Sequence, residues 1–279
     1  MPDLTYDPAS HYDRVTAAWQ WIMGDDLHYG VFERPDQPLA GATARLTDLM
    51  MEGARLAPGL EVLDVGCGTG GPACHLARLG ARVTGISTSE QGIAQATARA
   101  EVPGATQPGA CTFVVADALD TGFDDSRFDL VWVLESSHLI RDRPGLISEC
   151  ARVLRPGGRF VLCDIILCRA MVLDEVRRLR QPLEVLRWAF GDARMEALAT
   201  YVELAQDAGI EVDQVIDLTT ETRPTLDHWV DNAQRHRDRV LPVLGDQGLA
   251  QFIEACGLLA GFWDDGTLGY GLLAGTYSS

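Results

Sequence analysis

The glycine-rich stretch LEVLDVGCGTGG, residues 60–71, constrains the fold more than any other part of the chain. A short run of apolar and β-branched residues surrounds Asp64, glycines follow at positions 66, 68, 70 and 71, and a helix-like segment begins at Pro72. Glycine is needed where a turn requires positive φ, and its missing Cβ lets a ligand lie against the backbone. The stretch therefore predicts a strand, a tight turn and a helix, with a ligand bound at the turn.

The glycine spacing alone does not identify that ligand. Gly66, Gly68 and Gly71 satisfy G-x-G-x-x-G, the dinucleotide fingerprint, which also requires an acid about 20 residues later to hold the ribose. The second predicted strand ends at Ser87, and the next acid, Glu90, falls inside the following helix. This disfavours a dinucleotide oxidoreductase, which stays the competing class of enzyme.

Charge and composition exclude several other classes. The net charge is −17, from 40 acids and 23 bases, so the long-range field repels nucleic acid and acidic membranes. No run approaches the roughly 18 apolar residues of a membrane span. The seven cysteines are odd in number and contain no C-x-x-C pair, which argues against a zinc site or a disulfide framework. The first residues, MPDLTYDPASHYD, carry acids where a signal peptide carries bases, so we expect a cytoplasmic protein.

Strand and helix patterns alternate beyond the glycine turn, which predicts an α/β fold with a doubly wound, mostly parallel sheet and ligands at the carboxyl ends of its strands. The predicted elements of this part are strands 60–65, 82–86, 111–115, 128–134 and 159–167, and helices 71–80, 89–101 and 143–154. Later come a helical stretch 171–190, an Ala-rich segment 193–208, strand 210–218, helices 225–241 and 246–260, and a final strand in 267–277.

These elements predict a single domain in four parts. Residues 1–56 form an N-terminal helical cap with helices at 11–23 and 39–56, residues 57–167 form the cofactor-binding core, residues 168–208 form a helical lid inserted after the fifth strand, and residues 209–279 complete the core. The expected sheet is Rossmann-like and seven-stranded, with an antiparallel last strand.

Several further stretches resemble one family: LHYG at 27–30, RLTDLM at 45–50, VLDVGCG at 62–68, VTGIS at 83–87, ADA at 116–118, LES at 134–136, and VLRPGG at 153–158. Together they resemble class I S-adenosylmethionine-dependent methyltransferases, in particular the natural-product group that includes the rebeccamycin sugar O-methyltransferase and geranyl diphosphate C-methyltransferase. The resemblance spans nearly the whole chain and implies S-adenosylmethionine as cofactor, S-adenosylhomocysteine as product, and a role in antibiotic biosynthesis and secondary metabolism.

The resemblance also implies which residues bind the cofactor. Asp64, Gly66 and Gly68 would line its methionine end, and Ser87 and Gln91 would meet the ribose hydroxyls. Further residues that the resemblance places at the cofactor are Asp117 and Ala118, beside adenine, Glu135, near the amino acid moiety, and Tyr12, His28 and Tyr29, in the cap. No metal is implied.

Two residues are candidates for catalysis, with alternatives left open. His138 directly follows the fourth strand and is mostly neutral at pH 7, so it can accept a proton from a hydroxyl acceptor; the competing interpretation is a hydrogen-bonded loop histidine. Asp164 interrupts the buried fifth strand, where a charge is costly unless paired. It could orient His138, bind the acceptor, or be solvated at the strand end.

The expected partner is a small-molecule acceptor, with no nucleic acid and no membrane, and a homodimer stays open. The acceptor atom is an oxygen or a nitrogen in the main hypothesis and a carbon in the alternative. The same cofactor motifs would also fit a methyltransferase-fold protein that catalyses a cyclisation without methylating.

Overall fold

A seven-stranded sheet runs through the protein in the order β3-β2-β1-β4-β5-β7-β6. The computed structural model describes residues 17–34 and 36–278. The strands are β1 (Glu61–Val65), β2 (Arg82–Ser87), β3 (Ala110–Val115), β4 (Phe128–Leu134), β5 (Leu154–Leu167), β6 (Ile210–Asp217) and β7 (Leu268–Tyr277). The first five pair in parallel, and β7 lies between β5 and β6, antiparallel to both. The predicted fold class, with its antiparallel last strand, is confirmed.

Helices cover both faces of this sheet. They are α1 (helical at 17–23), α2 (Leu39–Ala54), α3 (Gly71–Arg78), α4 (Glu90–Ala100), α5 (Arg143–Val153), α6 (Leu173–Arg178), α7 (Arg180–Phe190), α8 (Leu198–Asp207), α9 (Thr219–Thr222), α10 (Pro224–Arg235) and α11 (Arg237–Asp264). None of these helices, in the part of the chain that the structure describes, is long and apolar enough to cross a bilayer.

The central strands are buried on both faces. Val62, Leu130 and Trp132 point into one core, while Leu63 and Val131, their neighbours along β1 and β4, point into a second core on the other face. Continuous apolar strands of this kind are typical of parallel sheets that are covered by helices on both sides. Because the strand order reverses between β1 and β4, the carboxyl ends of these two strands border a crevice, which is where doubly wound sheets bind ligands.

The predicted helical lid contains more than one helix. The stretch 171–190 divides near Leu179 into α6 and α7. Pro182 explains the division, because it lacks the N–H that a continuous helix would use to bond one turn back. Gly191, with φ 91°, then ends α7, and residues 191–197 are not helical. Within the Ala-rich segment 193–208 of the predicted lid, helix α8 therefore begins only at Leu198.

Candidate active site

A cavity of about 1010 Å³ lies at the carboxyl ends of the parallel strands. Its floor comes from the glycine turn after β1 and from the residues at the ends of β2, β4 and β5; its walls come from the segment around His28 and from α6 and α7. Its apolar lining includes Met23, Leu139, Ile165, Leu183, Leu186, Phe190 and Trp229. Ligand pockets typically measure about 300–1,000 Å³, so this cavity lies at the upper end of that range.

The glycine turn has two residues with different reasons to lack a side chain. Gly66 has φ 77°, and a Cβ there would lie 2.2 Å from the Cβ of Ser136, because the chain leaving β4 crosses directly over it. Gly68 has φ 53°, and a Cβ there would meet no protein atom within 4 Å. Since Gly68 lines the cavity, the open space beside it is available to a ligand.

Two buried acceptor atoms at the cavity lack donors. Asp64 Oδ2 and His28 Nε2 have no hydrogen-bond partner among the described residues. Burial raises the pKa of Asp64 to about 7. Burial lowers the pKa of His28, which keeps the ring neutral, with Nδ1–H donating to the carbonyl of Tyr29 at 2.7 Å. Unsatisfied buried acceptors are costly, so this site suits a ligand that brings N–H or O–H donors or a positive charge.

Glu135 joins the cavity wall around His28 to the end of β4. Its Oε1 accepts the backbone N–H of Tyr29 at 2.7 Å and the hydroxyl of Tyr270 at 2.5 Å. Burial raises the pKa of Glu135 to about 7, although the hydrogen bonds from Tyr270 and Tyr29 act in the opposite direction. Its φ of 48° is rare for a residue with a side chain, and such strained backbone is concentrated at functional sites.

His138 and Asp164 form a buried pair between the ends of β4 and β5. His138 Nδ1 lies 2.6 Å from Asp164 Oδ1, and because an ionised carboxylate only accepts, Nδ1 carries the hydrogen. Burial lowers the pKa of His138, but the charge of Asp164 and its hydrogen bond outweigh that effect and raise the pKa above its ordinary value. Burial acts to raise the pKa of Asp164, whereas the charge and hydrogen bond of His138, with further donors, hold it below its ordinary value.

The neutral His138 ring therefore has Nε2 as its acceptor atom, on a side chain that lines the cavity. Asp164 is fully buried behind it and does not line the cavity. Of the three alternatives left open for Asp164, the geometry agrees with orientation of His138. This pair can take a proton from a hydroxyl group bound in the cavity.

The structure brings most of the predicted site residues together. Those that line the cavity are His28, Tyr29, Asp64, Gly66, Gly68, Ser87, Asp117, Ala118, Glu135 and His138. Gln91 is exposed on α4 and is not among the lining residues, so its predicted contact with the ribose stays a prediction. Tyr12 lies outside the described residues.

Three residues of the site carry no clear signal in the sequence. Ser137 Oγ donates to Asp164 Oδ2 at 2.5 Å and also lies 2.7 Å from the hydroxyl of Tyr201, while Tyr270 donates to Glu135. Tyr201 and Tyr270 lie on α8 and β7, far along the chain, and only the packing of these elements brings them near β4. The buried charge of Asp164 was the one hint that such donors exist.

The fold and the site define a class of protein: an α/β protein with a ligand cavity at the carboxyl ends of its parallel strands, lined by unsatisfied buried acceptors and by a histidine that is hydrogen-bonded to a buried aspartate. Comparison with known proteins supplies the family. Residues 63–162 match the family described as methyltransferase domain. The 27-O-demethylrifamycin SV methyltransferase of Amycolatopsis mediterranei is 34% identical over 94% of this chain and 93% of its own length. Methyltransferase GfsG of Streptomyces halstedii is 34% identical over 88% of this chain and 86% of its own. The crystal structure of the [4+2]-cyclase SpnF superposes with a TM-score of 0.81 at 26% identity, covering 97% of this chain and 95% of that one.

The chain belongs to the class I S-adenosylmethionine-dependent methyltransferases, and S-adenosylmethionine is the cofactor of this family. The residues present fit it. The cofactor brings an ammonium group, ribose hydroxyls and a sulfonium charge, which are the donors and the charge that Asp64 Oδ2 and His28 Nε2 lack. The space beside Gly68 accommodates a ligand against the backbone.

Proposed function

We propose that this enzyme methylates a hydroxyl group of a small, largely apolar metabolite of secondary metabolism. The observation that carries the proposal is the His138–Asp164 pair, with its hydrogen on Nδ1 and its acceptor Nε2 at the cavity. A base of this kind serves an oxygen acceptor, whose proton must leave, more than an amine, which attacks through its lone pair and loses its proton afterwards. The name of the Amycolatopsis relative, which specifies an oxygen, supports the same assignment.

Within this proposal the cofactor-binding roles follow the sequence predictions. Asp64 and His28 accept from the cofactor's donors, Gly66 and Gly68 leave room for it at the turn, Ser87 meets the ribose, and Asp117 and Ala118 flank adenine. Glu135 lies near the amino acid moiety and also holds the end of β4 against the segment around His28. The contacts of Tyr12, Tyr29 and Gln91 with the cofactor stay predictions. The cytoplasmic location, the lack of nucleic-acid and membrane partners, and the homodimer stay predictions.

The protein's part in the reaction is positioning and proton removal. When bound, S-adenosylmethionine supplies a methyl carbon on a sulfonium that an oxygen lone pair can attack in line. The apolar wall from Leu183, Leu186 and Phe190 holds the acceptor and excludes water. His138 Nε2 takes the hydroxyl proton as the oxygen attacks, and Asp164 fixes the ring and stabilises the positive charge that then forms on it.

Label transfer from S-adenosylmethionine to hydroxylated apolar metabolites tests the proposal, with 27-O-demethylrifamycin SV as the first acceptor of the panel. We expect His138→Ala to reduce turnover by about 10²-fold or more, the usual scale for a general base, and to leave the affinity for S-adenosylhomocysteine nearly unchanged. Because His138 must be neutral to accept a proton, wild-type turnover should rise with pH through a midpoint above 6.5.

Three outcomes would contradict the proposal: full activity of His138→Ala with a hydroxylated acceptor, label found on a nitrogen or carbon of that acceptor instead of its hydroxyl oxygen, or a rate that falls as pH rises through that midpoint. Amine analogues of the same acceptors are the matched control, because their methylation should be nearly insensitive to His138→Ala.

Cyclisation without methyl transfer is the second candidate, favoured by the likeness to the cyclase SpnF. A cavity with an extended apolar wall could fold a flexible polyene as well as hold an acceptor. The two functions differ in the fate of the label. Conversion of a substrate to an isomer of equal mass, with no label incorporated, would support cyclisation.

A further inference from the structure

A buried arginine without a carboxylate partner lies behind the catalytic pair. Arg143, at the start of α5, is 3% exposed. Its Nε donates to the hydroxyl of Tyr201 at 3.1 Å, its Nη2 donates to the carbonyl of Arg194, and its Nη1 has no partner. No ion pair of Arg143 exists within residues 17–34 and 36–278. Because a buried charge is costly unless it is compensated, its counter-charge must be reached indirectly.

Three hydrogen bonds connect Arg143 to Asp164. Ser137 Oγ has one hydrogen, which it donates to Asp164 Oδ2 at 2.5 Å. The 2.7 Å contact between Ser137 Oγ and Tyr201 Oη must therefore be donated by Tyr201, which in turn accepts from Arg143. All donors point from the guanidinium towards the carboxylate. In a low-dielectric interior, bonds aligned in this way polarise and strengthen one another.

Asp164 is saturated by this arrangement. Its Oδ2 accepts from Ser137 Oγ and the backbone N–H of His138, and its Oδ1 accepts from His138 Nδ1 and the backbone N–H of Ile165. Four donors use all the lone-pair sites of a carboxylate. Asp164 thus stays ionised, and with His138 neutral its charge balances that of Arg143. A proton on His138 would leave two buried cations around one carboxylate.

We propose that Arg143, acting through Tyr201 and Ser137, is a positioning residue that keeps His138 neutral, and so able to accept a proton, at lower pH than the His138–Asp164 pair alone would allow. The proposal rests on the base role of His138 in the proposed function. It also explains why Arg143 is buried without a directly paired carboxylate.

The two carboxylates near His138 shift its pKa in the direction opposite to Arg143. Asp164 from β5 and Glu135 from the end of β4 both raise the pKa of His138, whereas Arg143 from α5 lowers it. Tyr201 from α8 stays a neutral phenol, since burial raises its pKa to about 12. Loss of the Arg143 charge should therefore raise the titration midpoint of His138.

Nuclear magnetic resonance of histidine-labelled protein measures this midpoint directly and needs no acceptor. The chain has six histidines, so the His138 signal can be assigned by its loss in His138→Gln. We expect Arg143→Gln to raise the midpoint by roughly half a pH unit, because the charge acts across three hydrogen bonds, and Arg143→Lys to restore most of the wild-type value. Tyr201→Phe, which removes a single oxygen from the relay, should shift it in the same direction by less.

Arg141→Gln is the matched control, because it removes the same charge from an exposed arginine that lines the cavity, where solvent screens it. An unchanged or lowered His138 midpoint in Arg143→Gln would overturn the proposal, provided that the variant still binds S-adenosylhomocysteine and is therefore folded. If Arg143→Gln does not fold, an unchanged midpoint in Tyr201→Phe would overturn it instead. Failure of the proposed function shows separately, as full turnover of His138→Ala.

Discussion

Gly66 and Gly68 lie two residues apart, but adding a side chain would have different consequences at the two positions. A Cβ at Gly66 would overlap Ser136, whereas a Cβ at Gly68 would enter open space; both have positive φ. We therefore expect Gly66→Ala to lower the free energy of unfolding by roughly 3 kcal/mol, from overlap and left-handed strain together, and Gly68→Ala by only about 1 kcal/mol. Chemical denaturation measures both values.

Gly68→Ala should affect cofactor binding more than it affects stability. Its added methyl group takes up space in the cavity, so we expect calorimetry to show at least about tenfold weaker binding of S-adenosylhomocysteine to a well-folded Gly68→Ala protein. Gly157→Ala is the matched control, because Gly157 also has positive φ, 79°, and open space around it, but lies in the irregular part of β5 between Leu154 and Arg159 and does not line the cavity. Equal loss of affinity in both variants would refute the placement of the cofactor beside Gly68.

At the scale of secondary-structure elements, one carboxylate joins several of them. Asp164 on β5 accepts hydrogen bonds from Ser137 and His138 in the short helix Ser137–Leu139 after β4, and Ser137 also contacts Tyr201 on α8. Asp164→Ala leaves these buried donors without an acceptor. We expect it to lower the free energy of unfolding by about 3–5 kcal/mol.

The same carboxylate predicts how stability depends on pH. The folded-state pKa of Asp164 is depressed, so its contribution is present above the ordinary pKa of an aspartate and is lost as pH falls through the folded value. Thermal denaturation from neutral to acidic pH should show this loss in the wild type and a smaller loss in Asp164→Ala. Asp231 is exposed, so Asp231→Asn should change neither the stability at neutral pH nor its loss at acidic pH. A stable Asp164→Ala protein would mean that these elements are held together by packing alone.

The elements also show what the sequence can and cannot predict. The strands could be predicted because apolar runs and glycine turns are local signals, and His138 and Asp164 could be placed together because β4 and β5 end at the same edge of a parallel sheet. The division of the stretch 171–190 near Leu179 was not predicted, because the apolar pattern continues across it. The relay through Tyr201 and Arg143 could not be predicted, since it depends on how α5 and α8 pack against each other.

At the scale of the whole molecule, the cavity joins parts of the chain that are far apart in sequence. His28 and Tyr29 form one wall, the glycine turn forms the floor, and α7 forms the opposite wall. Tyr29 connects to Glu135 through its N–H, and Gly30 N–H donates to Thr225 at 3.0 Å. A ligand that touches several of these parts must stabilise them together.

Hydrogen exchange in the presence of S-adenosylhomocysteine should reveal this linkage. At about 100 times the dissociation constant, binding stabilises the protein by about 2.7 kcal/mol, so amides that exchange only when the cavity opens should slow by about 100-fold. We expect this protection at Tyr29 and Gly30 as well as at Gly68, because the wall and the turn share one ligand. Amides of β6, an edge strand paired only with β7, exchange by local opening and should be unaffected. Gly68→Ala at the same ligand concentration should show weaker protection throughout, and protection confined to the glycine turn would contradict a shared site.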